Sequence, residues 1–99
     1  VIEDGVFLGM GVSMANARYP GGRMHREKMK QGRAPRIERG ARVGNGAVLN
    51  EGVTLGQECL IGSGSVVTRS IPAFKIAAGM PARIRGSVPK ADRIDWSPI

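Results

Sequence analysis

A six-residue repeat runs without interruption from residue 37 to residue 72 and limits the folds that this chain can adopt. The hexads read IERGAR, VGNGAV, LNEGVT, LGQECL, IGSGSV and VTRSIP, and each opens with an aliphatic residue. An α-helix repeats every ~3.6 residues and a strand every ~2 residues, so neither element explains this spacing. The period instead predicts a solenoid built from short strands.

The places within each hexad predict which side chains point inward. The first place is aliphatic, the fifth is small or aliphatic, and the fourth is usually glycine, which suits a corner of the chain. We therefore expect three hexads to form one triangular coil, with the strands of successive coils paired. The side chains predicted to face inward are Ile37, Ala41, Val43, Ala47, Leu49, Val53, Leu55, Cys59, Ile61, Ser65, Val67 and Ile71.

Residues 2–13 add two further hexads, IEDGVF and LGMGVS, which predict two sides of a preceding coil. The third side is expected to be missing, because residues 14–36 break the period. This 23-residue insertion contains the turn signal Pro20-Gly21-Gly22. An excursion of this length from a solenoid predicts a functional loop on the binding face.

The segment that follows Pro72, AFKIAAGMPARIRG, leaves the repeat and predicts a turn that caps the last coil. The predicted domains are therefore a repeat domain over residues 1–86 and a C-terminal tail over residues 87–99. Within the tail, PKADRIDW is compatible with one or two helical turns. Trp96 is expected to pack against a neighbour or the end of the coil, with stacking on a ligand as the less favoured role.

Composition narrows the setting of the chain. Only 4% of the residues are aromatic, so the core is thin and lateral association with other copies is expected. The sequence contains no stretch with the apolar length of a membrane span. It begins with Val rather than Met, inside a repeat, so we expect that residues preceding Val1 in the protein are missing from this sequence. The single cysteine, Cys59, excludes an internal disulfide, and a cytoplasmic location is the default expectation.

Positive charge is concentrated in and beside the insertion. Between Arg18 and Arg42 there are nine Lys or Arg residues against Glu27 and Glu38. Such a field attracts phosphates, acidic sugars or nucleic acid, although a solvated basic surface is the alternative. Nucleic acid is the least favoured partner because aromatic residues for base stacking are scarce. No metal is expected, because His25 is the only histidine and no other ligand spacing replaces it.

These hexads resemble the hexapeptide-repeat family, whose members form left-handed parallel β-helices. The resemblance implies an all-β fold of about three coils with a loop insertion and a short C-terminal cap. The left-handed winding is implied by the family resemblance alone, because connections between parallel strands of one sheet are generally right-handed.

The stretch IGSGSVVTRSIPAFKIAAGMPARIRG resembles the last coil and cap of family members that use acetyl-coenzyme A (acetyl-CoA). In that family the coenzyme lies in a groove between two subunits of a homotrimer. Glycine-rich corners offer backbone amides to pantetheine carbonyls, and arginines offer cations to the phosphates. The coenzyme contacts that the resemblance implies are Asn45, Ser63, Thr68, Arg69 and Arg83.

The stretch VSMANARYPGG distinguishes between subfamilies. Galactoside and maltose O-acetyltransferases carry a histidine base before the proline, where this chain has Tyr19. Acetyltransferases of amino groups on nucleotide-linked sugars have an F-T-N-D-L-Y-P-like stretch, of which Asn16, Tyr19 and Pro20 match, while Ala17 replaces the Asp. An uncharged amine needs no base to attack a thioester. The resemblance therefore favours N-acetylation of an amino sugar, with Asn16 orienting the amine.

Two alternatives remain open. In the first, the chain acetylates a sugar hydroxyl and His25 acts as the general base, because its ordinary pKa suits proton transfer near neutral pH. In the second, the chain is a truncated trimeric scaffold or an anion-binding module without catalytic activity.

Overall fold

The structure is a computed structural model that describes residues 1–15 and 34–98. Its strands are short, and most contain two residues. The elements are β1 (Phe7–Leu8), β2 (Ser13–Met14), β3 (Arg36–Ile37), β4 (Arg42–Val43), β5 (Val48–Leu49), β6 (Thr54–Leu55), β7 (Leu60–Ile61), β8 (Val66–Val67), β9 (Lys75–Gly79), β10 (Ala82–Ser87) and the 3-10 turn η1 (Lys90–Asp92).

The strands form three parallel sheets, which are the faces of a triangular column. Face A contains β3 and β6, extended by the bridges Ile2↔Ile37 and Leu55↔Ile71. Face B has the order β1-β4-β7-β9-β10, and face C has the order β2-β5-β8. The chain passes from face A to B to C and back to A, so each coil contributes one short strand to each face. We call the edges between the faces corner AB, corner BC and corner CA.

The core fills the interior of this column. All of the side chains predicted to face inward between residues 37 and 72 are buried, and none is more than 5% exposed. The prediction from the six-residue period is therefore confirmed. Burial raises the pKa of Cys59 to about 12, so this thiol stays protonated at neutral pH and acts as a small core residue.

The first coil has all three sides, and the prediction that its third side is missing was wrong. Strand β2 pairs in parallel with β5, so that Ser13 lies opposite Val48 and Met14 opposite Leu49. Met14 follows Leu8 by six residues and is apolar, so the repeat continues for one more side. Both end residues of the predicted insertion, Met14 and Arg36, thus belong to strands.

A hairpin caps the column at its C-terminal end, as the sequence predicts. Strand β9 pairs in parallel with β7, and β10 turns back to pair in antiparallel register with β9. Ala77 of β9 is buried and continues the inward column above Ile61.

The division of the chain at residue 86 stays a prediction. Residues 1–15 and 34–98 contain no helix with the length and hydropathy of a membrane span.

The segment of residues 88–96, which we call the strap, lies along corner AB. At its upper end the backbone N–H of Val88 donates to the carbonyl of Phe74 (2.7 Å). At its lower end the indole of Trp96 lies against Gly5 and Gly40, where an added Cβ would come within 2.9 Å and 2.8 Å of the ring. Trp96 therefore packs on the side of its own column, not at the end of the coil.

Candidate functional site

Corner BC carries two of the residues predicted to contact the coenzyme, Asn45 and Ser63, stacked on successive coils. Each is exposed and lies between two glycines, in Gly44-Asn45-Gly46 and Gly62-Ser63-Gly64. The backbone N–H of Gly64 donates to the carbonyl of Asn45 (2.8 Å), which places Ser63 one coil above Asn45.

The glycines make corner BC narrow and bare. Gly46 and Gly64 both have φ of +71°, a conformation that residues with a Cβ rarely adopt. A Cβ at either position would meet no atom within 4 Å, so the space outside the corner is open. Gly44 is required for stacking, because its Cβ would lie 2.5 Å from the backbone nitrogen of Ser63. The result is a ridge of exposed peptide groups along which an extended ligand can lie.

Two arginines stand at the upper end of this corner. A Cβ on Gly62 would lie 2.9 Å from the Cβ of Ala78, so β9 passes directly above corner BC at this point. Arg83 is exposed on β10 opposite Ala78, one strand further up. The strand register shifts between Ile84 and Gly86, and the bulge carries Arg85. The Arg85 Nη2 atom would lie 3.1 Å from a Cβ on Gly79, so its guanidinium group is at the same end of the column as Arg83.

The other two predicted coenzyme contacts lie elsewhere. Thr68 and Arg69 are exposed directly after β8, at corner CA. Face C separates this corner from corner BC. The structure therefore brings Asn45, Ser63 and Arg83 together and places Thr68 and Arg69 on the opposite edge of face C.

Face C differs from its neighbours in charge. Its outward positions are Ser13, Val48 and Val66, all uncharged, and the two valines are half-buried. The corresponding strands of faces A and B present Arg36 and Arg42 outward. Among the described residues, face C is thus the side of the column without a charged outward side chain on its strands.

Both predicted catalytic residues, Asn16 and His25, lie outside the described residues, as do Tyr19 and Pro20. Their roles stay predictions. Within residues 1–15 and 34–98 there is no group of three or more His, Cys, Asp or Glu side chains that could hold a metal ion. The expectation that the protein needs no metal also stays a prediction.

Sequence reasoning missed Met10, which lies at corner BC one coil below Asn45. The backbone N–H of Gly46 donates to the Met10 carbonyl (2.8 Å), and the Met10 side chain is 83% exposed. The signal was present in the sequence, because Gly9-Met10-Gly11 repeats the pattern of a residue between two glycines at the same place in its hexad.

Glu58 is the buried carboxylate that anchors the strap at corner AB. It accepts hydrogen bonds from the Trp96 Nε1–H (3.0 Å) and from the backbone N–H of Ile94. Desolvation is the largest single influence and would raise the pKa of Glu58. The hydrogen bonds from Trp96, Ile94 and Gln57, together with the positive charge of Arg42, outweigh it and lower the pKa below its ordinary value.

Comparison with known proteins supports this assignment of the repeat. The family model described as bacterial transferase hexapeptide (six repeats) matches residues 34–69. The chain is 32% identical over 96 residues to galactoside O-acetyltransferase of Escherichia coli K12, and the matched region covers 93% of this chain and 46% of that protein. It is 44% identical over 52 residues to dTDP-3-amino-3,6-dideoxy-alpha-D-galactopyranose 3-N-acetyltransferase of Aneurinibacillus thermoaerophilus, covering 52% of this chain and 27% of that protein.

Solved structures give the same picture. A galactoside acetyltransferase in complex with coenzyme A superimposes with a TM-score of 0.75 at 31% identity, covering 98% of this chain and 49% of that chain. Serine acetyltransferase from Brucella abortus strain S19, also in complex with coenzyme A, has a TM-score of 0.65 at 31% identity. The matched region covers 89% of this chain and 32% of that chain.

The chain spans less than half of each of these two curated relatives. The fold class predicted from the sequence, a left-handed parallel β-helix, is confirmed by these structures together with the sheet topology. The chain belongs to the hexapeptide-repeat transferase family.

Proposed function

We propose that this chain is an acetyltransferase that moves the acetyl group of acetyl-CoA to an amino group of a nucleotide-linked sugar. The observation that carries the proposal is corner BC, where Asn45 and Ser63 stack along a bare glycine ridge that ends at Arg83. Two structural neighbours were solved with coenzyme A (CoA) bound, which supports the same ligand here.

The chemistry of corner BC matches the two ends of the coenzyme. Arg83 and Arg85 at the upper end offer charge-assisted hydrogen bonds to the phosphates. The peptide groups and the Ser63 hydroxyl of the ridge offer partners to the amide groups of the pantetheine arm. The thioester end then points toward the first coil. In that coil the chain leaves face C at Ala15, on the side of corner CA, and continues into residues 16–33, which contain Asn16 and His25.

A homotrimer would unite the two separated halves of the predicted site. Three triangular columns around a threefold axis can each turn face C toward that axis. Corner BC of one column then lies beside corner CA of its neighbour. Such an arrangement brings the neighbouring copy's Thr68 and Arg69 to the ridge formed by Asn45 and Ser63, and the heterologous contact closes into a ring. Burying the uncharged face C is also favourable for association.

The transfer step requires few groups from the protein when the acceptor is an uncharged amine. The amine nitrogen attacks the thioester carbonyl, the C–S bond breaks, and the amine proton neutralises the departing CoA thiolate. Asn16 would orient the amine by accepting one of its hydrogens. The likeness to a sugar 3-N-acetyltransferase over 52 residues supports this acceptor class.

The test is release of free CoA thiol from acetyl-CoA in the presence of a panel of nucleotide-linked amino sugars and neutral sugars. Cys59 is buried, so it contributes little background to a thiol reagent. We expect turnover with an amino sugar, and loss of most of this turnover in Asn16→Ala. Absence of both turnover and CoA binding by calorimetry would contradict the proposal and leave a non-catalytic scaffold.

A second candidate is O-acetylation of a sugar with His25 as general base. It is favoured by the similarity to galactoside O-acetyltransferase, which extends over 93% of this chain. The two candidates predict opposite mutant behaviour. O-acetylation requires that His25→Ala abolishes turnover with a neutral sugar while Asn16→Ala is mild, whereas N-acetylation requires the reverse with an amino sugar.

A further inference from the structure

Ser65 is the only residue with a hydroxyl group at the inward positions of residues 37–72. Its side chain is buried, with 1% of the residue exposed. The same position in the two coils below is occupied by Ala47 and Val12, which are apolar. Burying a hydroxyl group is unfavourable unless the group has a hydrogen-bond partner. Ser65 therefore differs from the rest of its column for a reason other than packing.

The partner of Ser65 is the hairpin that closes the column. The backbone N–H of Gly79 donates a hydrogen bond to the Ser65 Oγ atom (3.2 Å). Gly79 is the last residue of β9 and has φ of +108°, so the chain turns away from the column at this residue. The registered pairing of β7 with β9 has already ended at Ile61 and Ala77. The Ser65 hydroxyl thus supplies an acceptor where the ladder between these strands no longer does.

Two hydrogen bonds from the last coil hold β9 on either side of Ala78. One is the bond to Ser65, and the other joins the backbone N–H of Gly62 to the carbonyl of Ala77 (2.9 Å). Ala78 lies opposite Arg83 in the antiparallel pairing of β9 with β10. The two bonds therefore fix the part of the hairpin backbone from which the exposed Arg83 side chain extends.

We propose that Ser65 is a positioning residue, whose buried hydroxyl group holds the hairpin so that Arg83 is oriented toward the phosphates of the coenzyme. This inference rests on the proposed function, since it assumes that Arg83 contacts these phosphates. A guanidinium group binds phosphate best when its N–H groups are aligned with the phosphate oxygens. Holding the backbone beneath it in advance lowers the cost of ordering on binding.

The test is a double-mutant cycle on CoA binding, measured by calorimetry for wild type, Ser65→Ala, Arg83→Ala and the double variant. Ser65→Ala should fold, because Ala47 occupies the same position one coil below. We expect it to weaken CoA binding about fivefold, which is a usual size for coupling within one network of contacts. In the Arg83→Ala background the same substitution should weaken binding no further, because the side chain that Ser65 orients is absent.

Cys59→Ala is the matched control for the loss of one buried atom. Cys59 has the same place in the preceding hexad, is fully buried and lies beside corner AB, away from the turn at Gly79. Ala41 occupies the same position one coil below, so this variant should also fold. It should bind CoA as the wild type does.

Two results would overturn the inference alone: an unchanged CoA affinity in Ser65→Ala, or an equal loss from this substitution with and without Arg83. Amide hydrogen exchange of the wild type gives a check that needs no variant. The Gly79 amide should be protected, and exchange at the rate of a free peptide would also overturn the inference. No binding of CoA by the wild type would instead overturn the proposed function.

Discussion

Glu58 occupies a corner position where most of the other hexads have glycine, and it adopts the same left-handed conformation, with φ of +54°. This conformation costs a residue with a Cβ about 1–2 kcal/mol. The cost is offset at Glu58 because its carboxylate binds the Trp96 Nε1–H and the Ile94 backbone N–H at corner AB. The break in the glycine pattern was visible in the sequence. Its meaning was not, because Trp96 follows 38 residues later.

We expect Glu58→Gln to release the strap. Ile94 and Trp96 donate to different carboxylate oxygens, and glutamine keeps only one of the two as an acceptor. One of these donors therefore loses its partner, so the free energy of unfolding should fall by about 2 kcal/mol. Trp96 is the only tryptophan, and its fluorescence should shift to longer wavelength as the indole becomes solvated. Glu51→Gln at corner CA serves as the matched control, and an unchanged spectrum in both variants would contradict this role of Glu58.

Acid should have the same effect on the wild type. The pKa of Glu58 is lowered in the folded protein from an ordinary value of 4.5. The unfolded chain therefore binds the proton more tightly than the folded one. The stability that Glu58 contributes is complete above about pH 4.5 and is lost as the pH falls through the lowered pKa.

A pH titration of Trp96 fluorescence measures this release. The wild type should show a transition below pH 4.5 that is absent or much smaller in Glu58→Gln. A transition of equal size in the variant would assign the acid response to other carboxyl groups.

At the scale of the strands, the sequence was most informative where the repeat is regular. The first and fifth places from Ile37 to Ile71 correctly predicted the buried columns, because only a six-residue step keeps them inward. The third side of the first coil was missed since a two-residue strand needs little sequence signal of its own. Strand β2 is defined mainly by pairing with β5, through bonds such as Ser13 N–H to the Ala47 carbonyl (3.0 Å).

The hairpin of β9 and β10 leads to a prediction about coenzyme affinity. Arg83 is exposed beside the upper end of corner BC, so Arg83→Ala should weaken CoA binding roughly tenfold or more through loss of a charge-assisted contact to phosphate. The deficit should shrink at high salt. Lys90→Ala on η1 removes the same charge elsewhere and should bind normally; equal losses in both variants would indicate only a general effect of net charge.

At the scale of the whole molecule, the candidate site could be predicted only in part. Chain order and spacing were enough to place Asn45 one coil below Ser63. The separation of Thr68 and Arg69 from these residues depends on which of the three corners each hexad reaches. Whether the two corners meet depends on other copies of the chain, and no pattern in one sequence states how columns pack against each other.

The proposed trimer predicts that face C is sensitive to charge. Val66→Lys places a cation in the middle of this uncharged face and should convert the trimer to monomers that no longer bind CoA, as measured by light scattering and calorimetry. Thr54→Lys is the matched control, because it occupies the same hexad place on face A. Circular dichroism checks that both variants fold. A trimer that persists in Val66→Lys would exclude face C as the interface.

The hairpin has a consequence for aggregation. A parallel solenoid ends in strands with unpaired backbone groups, and such edges invite other chains to add to them. Here β10 reverses direction over β9, so the growing edge of face B is closed by an antiparallel strand. The new outer strand carries Arg83 and, in its bulge, Arg85, and charge and irregular backbone both discourage further pairing. The same arginines offered to the phosphates therefore also keep one column from templating fibrils.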